Sequence, residues 1–135
     1  MMYYSFVELP SFSAVREQYM DDDAFRQFQD ILRKNPEAGD VIMGTGGLRK
    51  VRMLDKKRQK GKRGGLRVIY YFLTAEGEFL LFTLYDKDDQ DDMPPAVKKI
   101  MRGLLADIIK LRSAKRWSAI LLKKFKACPS PRRPT

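Results

Sequence analysis

The side chains of this chain that could do chemistry are cations and tyrosines placed on strand-like segments. In RKVRM (49–53), Lys50 and Arg52 are two apart and so share one face of a strand, with Arg49, Val51 and Met53 on the other. Arg67 precedes the apolar run VIYYF, and Tyr85 and Lys87 close the next such segment, again two apart. If these strands are neighbours, one sheet face carries Lys, Arg and Tyr together. Like-charge crowding there lowers a lysine pKa, and lysine is the nitrogen base that can take a proton in a chain without histidine. Arginine stays protonated, so its part is to bind phosphate and stabilise developing charge. Tyrosine can stack on a base or transfer a proton. The competing reading is that Arg49, Lys50 and Arg52 are the solvated face of an amphipathic strand.

Several other chemistries are excluded by composition. With no histidine there is no imidazole base, no Ser–His pair and no His metal ligand, and the one cysteine, Cys128, gives neither a zinc site nor an internal disulfide. The GTGG stretch (44–47) resembles a phosphate cradle, but no GK[ST] follows it, which favours a tight turn entering the next strand. Cysteine usage fits a reducing compartment. No signal-peptide pattern and no long apolar run appear, so the expected location is the cytoplasm and a membrane role is not expected.

The net charge of +10 is unevenly placed. Residues 49–67 carry ten Lys and Arg against Asp55 alone, and residues 110–135 carry nine more and no acid, while the remainder is acidic. Focused positive charge of this kind points to a polyanion as partner, because it raises the local potential for phosphates. The other reading is a solvated loop. The densest stretch, Lys56, Lys57, Arg58, Lys60, Lys62 and Arg63, lies among Gly61, Gly64 and Gly65, which argue for a mobile excursion between strands.

At 135 residues the chain has room for one core and an appended tail. YYSFVEL (3–9) reads as a strand ended by Pro10. Phe12, Val15 and Tyr19 mark a short helix, and Phe25, Phe28, Ile31 and Leu32 mark a second one, opened by DDD (21–23) and stopped by NPEAG (35–39). GLRKVRML (47–54), LRVIYYFLT (66–74) and EFLLFTLY (78–85) are strands, the last two a hairpin through AEG (75–77). After Pro94 and Pro95, apolar residues from Val97 to Ile109 follow the helical repeat. The expected architecture is α+β, ordered β-α-α-β-β-β-α, with two N-terminal helices and a C-terminal helix packed on a curved antiparallel sheet. Residues 1–110 form the domain. Residues 111–135 form a basic extension in which Trp117, Ile120, Leu121 and Phe125 suit an amphipathic helix, with a disordered end.

The segments GDVIMGTGGLRKVR, GKRGGLRVIYYFL and LFTLYDKDD, with REQYMDDDAFRQFQDILRKNPEA before them, resemble HigB-type toxins of the RelE superfamily, from bacterial type II toxin–antitoxin modules. The resemblance spans roughly residues 5–110. It implies a RelE-like fold and a ribosome-dependent mRNA endonuclease that cuts without metal or cofactor. A HigA-type antitoxin with a helix-turn-helix would hold it inactive. It assigns Lys50, Arg52, Arg67, Tyr85 and Lys87 to catalysis, and Arg49, Lys56, Lys57, Arg58, Lys60, Lys62 and Arg63 to RNA and the ribosome. The pattern departs at Arg52, where lysine is usual, and at Asp86 and Asp88, carboxylates that would repel RNA beside the site. Two alternatives share these features: a gyrase-poisoning sibling of the ParE type without nuclease chemistry, and a non-catalytic RNA- or DNA-binding module.

Overall fold

The computed structural model describes residues 4–53, 65–74, 76–86 and 93–126, the last stretch as backbone only beyond residue 113. Five strands and three helices build it: β1 Ser5–Glu8, α1 Pro10–Tyr19, α2 Asp22–Lys34, β2 Asp40–Val41, β3 Arg49–Met53, β4 Leu66–Leu73, β5 Glu78–Asp86 and α3 Pro95–Lys126. The strands form one sheet in the order β1-β5-β4-β3-β2. All neighbours pair antiparallel except β1, which joins the β5 edge in parallel. The sheet is therefore mixed rather than wholly antiparallel. The connection from β1 to its parallel partner β5 runs through α1, α2, β2, β3 and β4, length that a tight hairpin cannot supply.

β4 is the most buried strand, closed on both faces, and its run of branched and aromatic residues suits that place. One face packs Val51, Val68, Tyr70, Phe79 and Leu81 under Phe12 of α1 and Phe28 and Leu32 of α2. The opposite face packs Leu48, Ile69, Leu80 and Phe82 against Leu105, Met101 and Val97 of α3. The helices thus sit on both sides of the sheet. A bulge lets Ile69 pair with Thr83 and Tyr70 with Leu81, which leaves Phe82 as the extra residue. The freed Phe82 carbonyl accepts from the Ser11 hydroxyl in the first turn of α1, tying that helix to the irregular point of the sheet.

Local chemistry sets the helix ends. Pro10 opens α1, where its missing N–H costs nothing. The Asp21 carboxylate caps α2 by accepting from the Ala24 amide at 2.8 Å, with Asp22 and Asp23 in the first turn and Arg33 and Lys34 in the last. α3 runs unbroken through residue 111, where the composition changes. Arg112 holds it to the β4–β5 turn, 2.7 Å from Glu78 and 3.4 Å from Glu76. No helix among the described residues is long and apolar enough to cross a membrane.

The GTGG stretch is a turn. Gly44, Gly46 and Gly47 all have positive φ, and the buried Thr45 hydroxyl donates to the Ile42 carbonyl and accepts from the Leu48 amide. This closure delivers the chain into β3.

Candidate nucleic-acid interface

The register of three strands assembles the site. Arg52 on β3 lies opposite Arg67 on β4, and Arg67 lies opposite Tyr85 on β5, so the three side chains form one row across one sheet face. Lys50 is two residues along β3 from Arg52 and stands on the same face, beside Ile69 and Thr83. Four of the five residues expected to do chemistry are therefore brought together. Lys87, the fifth, lies outside the described residues.

Exposure divides the row. Arg52 is exposed, Lys50 and Tyr85 are half-buried, and Arg67 is 3% exposed. Holding Arg67 there works against its charge. Burial pushes its pKa down, Arg52 adds to that, and Tyr85 and Asp86 act in the opposite direction. An arginine so placed remains a cation, because its ordinary pKa lies far above neutrality. Its Nη1 reaches back toward the Leu66 and Gly65 carbonyls at 3.3 and 3.4 Å, contacts long for hydrogen bonds.

Asp86 does not behave as its position in the sequence suggests. It pairs with Leu66, follows Tyr85 and therefore points to the opposite sheet face, where it is fully buried. The carboxylate expected to repel RNA is withdrawn from the cationic face and acts on Arg67 as a counter-charge. Strand alternation carried that signal in the sequence. Asp88 lies outside the described residues.

Arg49 is placed apart from the row. Its guanidinium donates to the Gly39 carbonyl at 2.8 Å and lies 3.9 Å from Glu37, on the side that faces the turn after α2. That turn is also held by Tyr70, whose hydroxyl donates to the Pro36 carbonyl and accepts from the Gly39 amide. Burial raises the Tyr70 pKa, and the Gly39 bond and Arg49 partly offset the rise. Gly39 is required here because a Cβ would stand 2.8 Å from the Lys50 carbonyl oxygen. Lys56, Lys57, Arg58, Lys60, Lys62 and Arg63 lie outside the described residues.

A groove of about 570 Å³ opens beside this row, between α2 and the outer edge of β3. Met20, Ala24, Ile31, Val51 and Met53 form its apolar surface, and Gln27, Ala38, Asp40, Lys50 and Arg52 complete its lining. Strand patterning does not reveal it, because it depends on how far β2 extends.

Fold and site together define a small α+β domain with a row of cations and a tyrosine fixed on the central strands of its sheet. No family model matches the chain. Among solved structures it is similar to a chain of the intact E. coli RelBE toxin–antitoxin complex, at 11% identity over 62% of this chain and 96% of that one, with a TM-score of 0.44. It is also similar to a doubly substituted E. coli toxin RelE in the free state, at 14% identity over 67% and 90% of the two chains, again with a TM-score of 0.44. Both likenesses are distant, so the chemistry rests on this chain's own residues.

Proposed function

We propose that the chain is a RelE-superfamily toxin of the HigB type, an endoribonuclease that cleaves mRNA on the ribosome and is held inactive by a HigA-type helix-turn-helix antitoxin. One observation carries this reading: Arg52, Arg67 and Tyr85 stand in register on three adjacent strands, with Lys50 one step along. The resemblance in GDVIMGTGGLRKVR and GKRGGLRVIYYFL supports it independently. Rigid strands suit a task in which a misplacement of about 1 Å can cost about a hundredfold in rate.

The reaction uses the substrate's own 2′-OH. Lys50 or Lys87 takes the 2′-OH proton, the 2′-oxygen forms a bond to phosphorus, and the bond from phosphorus to the 5′-oxygen breaks. The departing oxygen takes up a proton and leaves as a 5′-OH, with a 2′,3′-cyclic phosphate on the upstream fragment. Arg52 and Arg67 hold the phosphate oxygens as charge builds, and Tyr85 orients a base or assists proton transfer.

Induction of the gene followed by mapping of transcript ends tests the reading. New 5′-OH ends inside translated messages, absent when translation is blocked, are expected. Intact messages with damaged supercoiling would replace the nuclease with a gyrase poison. Tight RNA binding without cleavage would leave only a binding module.

A further inference from the structure

The sheet ends in β2 on one side and β1 on the other. β2 offers only two residues, but β1 presents a strand edge that neither the core nor the cationic row explains. The amides of Ser5 and Leu9 donate to the Gly77 and Leu81 carbonyls along β5, at 3.1 and 3.0 Å. Alternation then turns the amides and carbonyls of Phe6 and Glu8 away from the sheet, where among the described residues no strand pairs with them. No lysine, proline or bulge blunts Ser5–Glu8, although such devices keep exposed edges from pairing. The side chains above the edge are already ordered. Phe6 stacks on Phe79 at 4.8 Å, the Arg33 guanidinium lies 5.1 Å over the Phe6 ring, and Arg16 holds the Glu8 carboxylate at 3.1 Å. Val7 packs into the core on the opposite face.

We infer that this edge is a self-association surface, taken by a second copy of the chain with β1 antiparallel to the partner's β1 about a two-fold axis at Val7. Self-complementarity selects that occupant. The outward groups flank Val7 evenly, so Phe6 falls opposite the partner's Glu8, and each donates to and accepts from the other. Both side chains stand on the same sheet face, so this register sets the partner's Glu8 carboxylate beside the Phe6 ring, where the Arg33 guanidinium is already placed. The charge that Arg33 brings is the complement of the one it meets. The flank of α1 over the edge presents Ser13, whose hydroxyl lies 3.4 Å from the Glu8 carboxylate and is small enough to let the partner's helix lie alongside. The charge of +10 on each chain opposes the pairing, so the dimer depends on concentration and is strengthened by salt. Arg52 and Arg67 lie on β3 and β4, inside the sheet and away from this edge, so the inference is independent of the nuclease reading.

Sedimentation velocity of the full chain over a concentration series, with amide hydrogen exchange on the same samples, tests this. A monomer–dimer equilibrium is expected, with exchange at the Phe6 and Glu8 amides slowing as the dimer forms. Glu8→Pro removes an amide that the ladder to β5 does not use, a place where an edge strand tolerates proline. Glu8→Ala keeps that amide and removes the carboxylate. The dimer of Glu8→Pro should be about tenfold or more weaker than that of Glu8→Ala, because the bond is lost once in each protomer. Arg33→Gln changes a half-exposed side chain and should weaken the wild-type dimer but not the Glu8→Ala dimer, since the charge it meets is then gone. Thermal melts of each variant confirm that the fold is retained. A chain that stays monomeric into the millimolar range overturns the inference. So does a dimer that leaves Phe6 and Glu8 exchange unchanged, or one that Glu8→Pro and Glu8→Ala weaken equally.

Discussion

At the scale of single residues, the decisive feature is a guanidinium held almost out of solvent beside another one. Arg67 is buried and its register partner Arg52 is a like charge, so the arrangement is held against electrostatic cost by the strand pairing, with Asp86 as counter-charge behind it. Such a group is pre-positioned for an anion and needs little reorganisation when one arrives. Arg67→Lys keeps the charge but removes the planar fork that can hold two phosphate oxygens. Cleavage by that variant should fall about 10²-fold or more, measured as single-turnover rate on programmed ribosomes. Near wild-type cleavage would take the phosphate-holding role away from Arg67. Tyr70 lies one strand-step beyond this chemistry and fixes the turn that precedes β2. Tyr70→Phe leaves the Gly39 amide and the Pro36 carbonyl without their partner, which should cost about 1–3 kcal/mol in denaturant unfolding. Its pH dependence has a definite sign. The folded pKa is raised above the ordinary 10.0, so the hydroxyl contributes fully below about pH 10 and is lost as pH rises through the higher folded value. The gap in unfolding midpoint between wild type and Tyr70→Phe should therefore narrow above pH 10. A gap that stays constant above pH 10 would mean that folding does not raise the hydroxyl pKa, and no gap at any pH would mean that Tyr70 acts only through packing.

At the scale of elements, the sequence was legible wherever one physical signal dominated. The branched and aromatic run of β4 and the apolar spacings of α1 and α2 lie where their patterns place them, and the Asp21–Asp23 cluster opens α2. β2 leaves no trace in the pattern because two residues, Asp40 and Val41, are too few to show alternation. The parallel edge leaves none because a period of two tells which side chains share a face but nothing of strand direction. The candidate row was readable from Lys50-Val51-Arg52 and the placement of Arg67 and Tyr85, since a single register aligns them. The groove was not, because it arises where a short strand stops. The division of the chain near residue 110 remains a proposal about α3. Among the described residues, its inward side chains reach Ile109 and Arg112 ties it to the sheet. Truncation after Ser113 should then leave the melting temperature within a few degrees of the full chain. Insolubility, or a larger drop in thermal melts, would place part of the core beyond that boundary. Retained folding with weaker ribosome association would make the extension an electrostatic accessory.

At the scale of the whole molecule, charge is segregated in a way that folding alone does not require. The chain carries +10 overall, yet the positive charge is concentrated in residues 49–67 and 110–135, and the remainder is acidic. Positive charge focused in this way along the sequence raises the local potential for a polyanion. The row of Lys50, Arg52 and Arg67 can account for binding one or two phosphates, far fewer than the cations of residues 49–67. We propose that the surplus, in Lys56, Lys57, Arg58 and Lys60, serves affinity and orientation on the ribosome and not bond breaking. Replacing those four with Gln should leave the thermal melt unchanged, because none of them belongs to an apolar pattern. Ribosome binding should weaken, and its dependence on salt should flatten. Each phosphate that is no longer neutralised keeps its counterions, and the slope of log affinity against log salt then falls by roughly 0.9, on the duplex-DNA value. If all four cations neutralise phosphates, the slope measured between low and physiological salt should shrink by about 3 to 4. The rate on message already bound to saturating ribosomes should change little, since the strand-mounted row is intact. An unchanged slope would make these cations spectators, and a collapse of the bound-state rate with an unchanged slope would move chemistry out of the sheet and into the segment after β3.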